Sequence, residues 1–165
     1  MSTLAPELTI ALADYANPLD AADLLALLDA YASDPMGGGA PLAKDVRERI
    51  VQGLAVTPGA FSLLARIEGE AVGLANCFTA YSTFAGAPVV NVHDLAVDPA
   101  RRGRGIGKAL LGAVEAEARR RGACKVTLEV LSGNERAKGL YLALGYGDYQ
   151  LDPAAGHALF WQKKL

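Results

Sequence analysis

The strongest chemical bias in the chain lies in one turn, Asp98-Pro99-Ala100-Arg101-Arg102-Gly103-Arg104-Gly105-Ile106-Gly107-Lys108, between a strand-like run and an amphipathic helical one. Gly103, Gly105 and Gly107, at alternate positions, remove Cβ atoms and let the backbone approach a ligand closely. The helix after the turn offers unpaired N–H groups and the positive end of its dipole, a cradle for phosphate. Arg102, Arg104 and Lys108 add charge around it, so a pyrophosphate is the expected guest. The alternative is a basic turn whose glycines serve geometry alone. Two better-known phosphate loops do not fit. A nucleoside triphosphate loop needs glycine where Arg102 stands and Ser or Thr where Ala109 stands. A dinucleotide fingerprint needs glycine in place of Lys108 and an early βαβ unit, whereas this turn lies two thirds of the way along.

Composition limits what surrounds this turn. In 165 residues, 52% are hydrophobic and 21% charged, enough for one packed domain and too apolar for disorder. A formal charge of -2 argues against nucleic acid or an anionic membrane as main partner. Two cysteines and two histidines make neither a disulfide framework nor a metal cluster, so no metal is expected. Without a signal-like N-terminus or a long apolar run, the expected location is the cytoplasm.

Periodicity gives the elements that must position the turn. Leu8–Leu12 alternates as a strand, Leu19–Ala32 and Lys44–Leu54 read as helices, and Pro35–Pro41 is a glycine-rich loop. Phe61–Ile67 and Ala71–Ala80 form a hairpin around Glu68-Gly69-Glu70, and Val89–Val97 is the next strand. Ile106, Ala109, Leu110, Ala113 and Val114 mark the clearest helix, Ile106–Arg120, with Arg119–Arg121 complementing its C-terminal dipole. Lys125–Leu131 is a strand and Asn134–Leu144 a short helix; Tyr146–Leu151 and His157–Gln162 are expected as closing strands, with Ala158–Trp161 in the core. The fold class is mixed α/β: a mostly antiparallel sheet with about four helices in a single domain, 1–165.

With those elements in place, two segments resemble a known family. Arg102-Gly103-Arg104-Gly105-Ile106-Gly107 resembles the Arg/Gln-x-x-Gly-x-Gly/Ala signature of the Gcn5-related (GNAT) N-acetyltransferases, after a Leu-Ala-Val-Asp-Pro strand. Asn134 to Tyr146 is similar to the family's second signature, Asn-x-x-Ala-x-x-Leu-Tyr-x-x-x-Gly-Phe. The resemblance implies acetyl-CoA as co-substrate, its pyrophosphate held by amides of residues 102–108: Arg102, Gly103, Arg104, Gly105, Ile106, Gly107 and Lys108. It also implies a bulged strand at Leu95-Ala96-Val97 along which pantetheine pairs, with an amide near Leu95 polarising the thioester carbonyl. Tyr141, on sequence alone a core aromatic, would be the group that protonates the departing thiolate. Asn134 would cap its helix and contact the cofactor.

An amine acceptor must lose a proton to become nucleophilic. His93, Asp94 and Glu129 are the candidates nearby, with His93 and Glu129 as catalytic residues and a water chain as the alternative. A narrower likeness, Tyr81-Ser82-Thr83-Phe84-Ala85-Gly86 followed by His93-Asp94, is similar to diamine and polyamine acetyltransferases; there an acidic residue stands at the place of His93. It implies Tyr81, Phe84, His93 and Asp94 as acceptor-binding residues and a small diamine-like or amino-acid-like amine as partner. A protein amine and a non-catalytic acyl-CoA sensor are the competing readings. Dimerisation, common among relatives, makes a homodimer the expected partner state if any.

Overall fold

The computed structural model describes residues 7–149 and 152–165, and the chain divides into two compact units, 1–131 and 132–165. In the first unit the elements run β1 (Leu8–Leu12), α1 (Pro18–Ser33), α2 (Lys44–Val56), β2 (Ala60–Ile67), β3 (Glu70–Ser82), β4 (Ala87–Val97), a 3₁₀ turn (Pro99–Arg101), α3 (Ile106–Arg120) and β5 (Val126–Leu128). The strands form one sheet in chain order, antiparallel except for the parallel β4–β5 pair. No helix among the described residues is long and apolar enough to cross a membrane.

Local chemistry explains the boundaries. Asn17 starts α1, its side chain accepting from the Leu19 and Asp20 amides, with Pro18 in the first turn. The β2–β3 turn is Glu68-Gly69, both at positive φ (52° and 82°), the conformation that keeps two strands in a tight twisted hairpin. Arg66 of β2 reaches Asp20 (2.8 Å) and Asp23 (2.6 Å) and ties the sheet to α1.

Register sorts the side chains into two faces. Ser62, Asn76 and Asp94 lie across from one another, as do Leu64, Leu74 and Ala96. The latter three pack with Leu24 and Leu27 of α1. Leu63, Ala65, Gly73, Ala75 and Cys77 take the other face, under α3. Gly73 is demanded there: a Cβ would come within 2.9 Å of Leu110 Cδ1 and 3.1 Å of Ile106 Cγ2.

The β3–β4 ladder contains one irregularity. Asn76 pairs with Asp94 but its neighbour Cys77 pairs with Val92, so His93 is an extra residue in β4. Before the bulge the Val90 N–H turns to β5, bonding Lys125 O at 3.1 Å; beyond it the Asp98 N–H turns to β3, bonding Val72 O at 2.9 Å. With the strand period of two, the bulge reverses which amides face which neighbour. The Leu95 and Val97 amides therefore look away from β3, toward the side where β5 pairing has already stopped at Val92–Leu128.

The second unit holds α4 (Glu135–Ala143), started by Asn134, whose side chain accepts from the Ala137 amide at 3.2 Å, and a 3₁₀ turn at Pro153–Ala155. The closing strands expected from the sequence are corrected here. Residues 157–162 form no strand, and Leu159, Phe160 and Trp161 are exposed, because apolar alternation makes a strand only where a partner supplies a ladder. Residues 146–149 are likewise irregular, and 150–151 of that expected strand lie outside the described residues. The strand expected at 125–131 is shortened to Val126–Leu128.

Candidate active site

The turn from β4 into α3 is built around its glycines. Asp98 caps the 3₁₀ turn, accepting from the Ala100 amide at 3.0 Å. Gly103 and Gly105 then adopt φ of 76° and 80°, and Gly105 occupies the N-cap of α3 with no side chain closing that end. A Cβ on either glycine would meet no atom within 4 Å, so both look onto open space. Uncapped first-turn amides, open approach and the exposed Arg104 and Lys108 together fit an anionic phosphate group. Arg102 has a different task from the one its charge suggests. Its Nε donates to Val97 O (3.1 Å) and its guanidinium reaches Asp34 (2.9 Å) at the end of α1. The Asp34 carbonyl in turn accepts from the Gly37, Gly38 and Gly39 amides, so the glycine-rich loop is gathered onto one residue that the phosphate turn grips.

Next to this turn, β4 and β5 part. On the open side lie the Leu95 and Val97 amides, as the bulge dictates. Leu95 and Val97 lie across from Ala75 and Gly73 on the α3 face, while Ala96 is buried under α1. On the α1 face, around the parting, stand the three polar candidates. His93 is exposed, its ring edge-on to Phe78 at 5.4 Å. Asp94 accepts from Asn76 Nδ2 at 3.0 Å. Glu129, just past β5, accepts from Asn91 Nδ2 through both oxygens at 3.2 Å, the same amide lying 3.2 Å from Thr127 Oγ1. Tyr31 of α1 joins Ala96, Val97, Asp98 and Arg102 in lining a small cleft. Burial pushes its phenol pKa up, and the charges of Asp94 and Asp34 add to the effect.

The structure thus brings His93, Asp94 and Glu129 to one part of the sheet. It does not bring Tyr81 and Phe84 there. Tyr81 pairs with Pro88, about 16 Å of strand from His93 at roughly 3.3 Å per residue. Phe84 sits in the turn beyond, 92% exposed. Asn134 and Tyr141 belong to the second unit, where the Tyr141 ring lies 6.1 Å from that of Tyr146. Sequence reasoning misses Tyr31, Asp34, Ser62, Asn76 and Asn91. Of these, Asn76 alone gives a signal, a lone amide inside the apolar run Ala71–Cys77.

Comparison with known proteins bears on this geometry. The fold matches an aminoglycoside N-acetyltransferase solved with CoA, at TM-score 0.78 and 18% identity over 100% of both chains. It also matches a ribosomal-protein-alanine N-acetyltransferase from Brucella melitensis biovar Abortus 2308, at TM-score 0.71 and 23% identity over 96% of this chain and 98% of that one. In sequence, thialysine N-epsilon-acetyltransferase of Bos taurus is 38% identical over 77 residues, 47% of this chain and 45% of that protein. The chain spans less than half the length of that relative and of a second curated one, from Mycobacterium leprae. Residues 24–146, which contain the open β4 edge, the glycine turn and α4, match the acetyltransferase (GNAT) family, and to that family the chain belongs.

Proposed function

We propose that the chain transfers the acetyl group of acetyl-CoA to a primary amine of a small molecule, diamine-like or amino-acid-like, by direct attack on the thioester. The observation that carries this reading is the bulge at His93, which turns the Leu95 amide to the open edge of β4 beside the uncapped N-terminus of α3. The amides of residues 102–108, with Arg104 and Lys108, would hold the pyrophosphate. Bound acetyl-CoA supplies an activated acyl carbon. The Leu95 N–H is the donor available to an oxyanion along the edge.

The acceptor amine reaches the parting from the α1 face, where Asp94 and Glu129 offer carboxylates to its ammonium form. His93 or Glu129 takes the proton that the amine must lose; the new C–N bond forms as the C–S bond breaks. On the family resemblance, Tyr141 would donate a hydrogen bond to the departing thiolate. A thiol is the stronger acid, ~8.5 against ~10 for a phenol, so Tyr141 mainly stabilises the leaving group by hydrogen bonding. A small cationic acceptor is supported by the exposed acid-rich parting and by the likeness to an enzyme acting on thialysine.

The test is thiol release from acetyl-CoA against diamines, polyamines, amino acids, aminoglycosides and short peptides. Release with one small-amine class above the enzyme-only background is expected. Release only with peptides would overturn the small-molecule reading, and silence with acetyl-CoA still bound would make the chain an acyl-CoA sensor.

A further inference from the structure

A chain of polar side chains runs through the α1 face of the sheet, where packing alone asks for none. Tyr15 OH lies 2.9 Å from Ser62 Oγ, Ser62 Oγ 2.6 Å from Asn76 Oδ1, and Asn76 Nδ2 3.0 Å from Asp94 Oδ2. Ser62 and Asn76 are 1% and 2% exposed, and along the same strands their neighbours on this face are Leu64, Leu74 and Ala96. Buried hydroxyl and amide groups in such a setting are costly unless every one is satisfied, and these are.

The direction of the chain is fixed by chemistry. An amide oxygen only accepts, so the Ser62 proton goes to Asn76, and Tyr15 must then donate to Ser62. Burial pushes the Tyr15 phenol pKa above its ordinary value, which keeps it a donor at neutral pH. Three donors therefore point the same way and end on one oxygen of Asp94. The Asp94 carboxylate disfavours the flipped amide, which would set oxygen against oxygen, so the acid that Asn76 holds also fixes which way Asn76 faces. An amide does not relay protons, so the chain orients a carboxylate and is not a proton wire.

We propose that Asn76, held in place by Ser62 and Tyr15, is the positioning residue that aims Asp94 at the ammonium group of the acceptor. This rests on the amine-acceptor reading of the site. Asp94 touches the acceptor; Asn76 acts through it, leaving the second carboxylate oxygen for the cation.

The experiment is calorimetric titration of 1,4-diaminobutane into the CoA-loaded protein, a complex without an acyl group to turn over. Asn76→Leu is expected to weaken diamine binding at least tenfold with CoA affinity within twofold of wild type, and Ser62→Ala to weaken it about threefold. In an Asp94→Asn background neither substitution should add a further change, because the effect passes through that carboxylate. A purely structural role would instead lower thermal stability and leave diamine affinity alone, or give effects that add in the Asp94→Asn background; either result overturns the proposal. If Asn76→Leu fails to fold, Ser62→Ala and Tyr15→Phe carry the same cycle. Equal binding by wild type and variants overturns the positioning role alone. No diamine binding to wild type overturns the diamine-acceptor reading together with it.

Discussion

The two faces of the central sheet are made from the same strands and put to opposite uses. Under α3 the face is dry and close-packed: Gly73, Ala75 and Cys77 leave room for Ile106 and Leu110, and burial pushes the Cys77 thiol up to about 12. Under α1 it carries Ser62, Asn76 and Asp94 among leucines and ends at the parting of β4 and β5. Sequence variation should therefore strike the two faces differently. Damage to the first should appear as lost stability, and damage to the second as lost recognition.

The dry face is the most sensitive to truncation. Leu110, fully buried, should cost about 2–5 kcal/mol when cut to alanine, read by urea denaturation, with acetyl-CoA affinity of the folded protein unchanged. A loss below ~1 kcal/mol would mean that this face is not the main source of stability. Next comes the end of α3, where the dry face turns into the phosphate cradle. Gly105→Val should weaken acetyl-CoA binding at least tenfold, about 1.4 kcal/mol, in calorimetry. No protein atom lies in the way of its Cβ, so the loss would report strain at φ 80° and the blocked approach of the ligand. Unchanged affinity would refute the pyrophosphate assignment.

His93→Ala probes the wet face. The ring is exposed, so stability should hold within about 0.5 kcal/mol while the acidic limb of the pH–rate profile moves. An identical profile would hand the proton to Glu129 or water. A more modest change is expected at the far end of α3. There Arg120, with Arg121 behind it, holds the Glu117 carboxyl down from 4.5 to about 2. A depressed acid contributes stability that is complete above its ordinary value and lost as pH falls toward the folded one. Glu117→Gln should therefore flatten acid destabilisation between pH 4.5 and about 2 in a thermal series, without touching any substrate constant.

How much of the molecule is legible in its sequence depends on whether the signal is local. The glycine turn and α3 announce themselves within one short stretch of chain, and both stand where periodicity places them. The α3 arginine run reads as a dipole complement; Arg120 and Arg121 also grip Glu117, and Arg121 stacks 4.0 Å over Phe61. Family resemblance places the bulge near Leu95, yet nothing in Asn91-Val92-His93-Asp94 marks which residue is the extra one. The polar chain is invisible for a plainer reason: Ser62 and Asn76 are far apart in sequence, and only the β2–β3 register makes them partners. At the other extreme, Leu159-Phe160-Trp161 carries a strong local signal with no ladder to receive it.

The extra residue in β4 also governs how the strand tolerates change. Every side chain from Asp94 to Val97 owes its face to His93 staying out of the ladder. Were His93 instead drawn into the ladder opposite Asn76, plain alternation would return and trade Leu95 and Val97 for Asp94 and Ala96 beneath α3. A carboxylate would then enter the dry side, and leucine would take its place at the parting. Position 93 therefore keeps a reading frame: deleting it would leave Val92 and Asp94 on their present partners and faces, while pairing it would rewrite the rest of the strand.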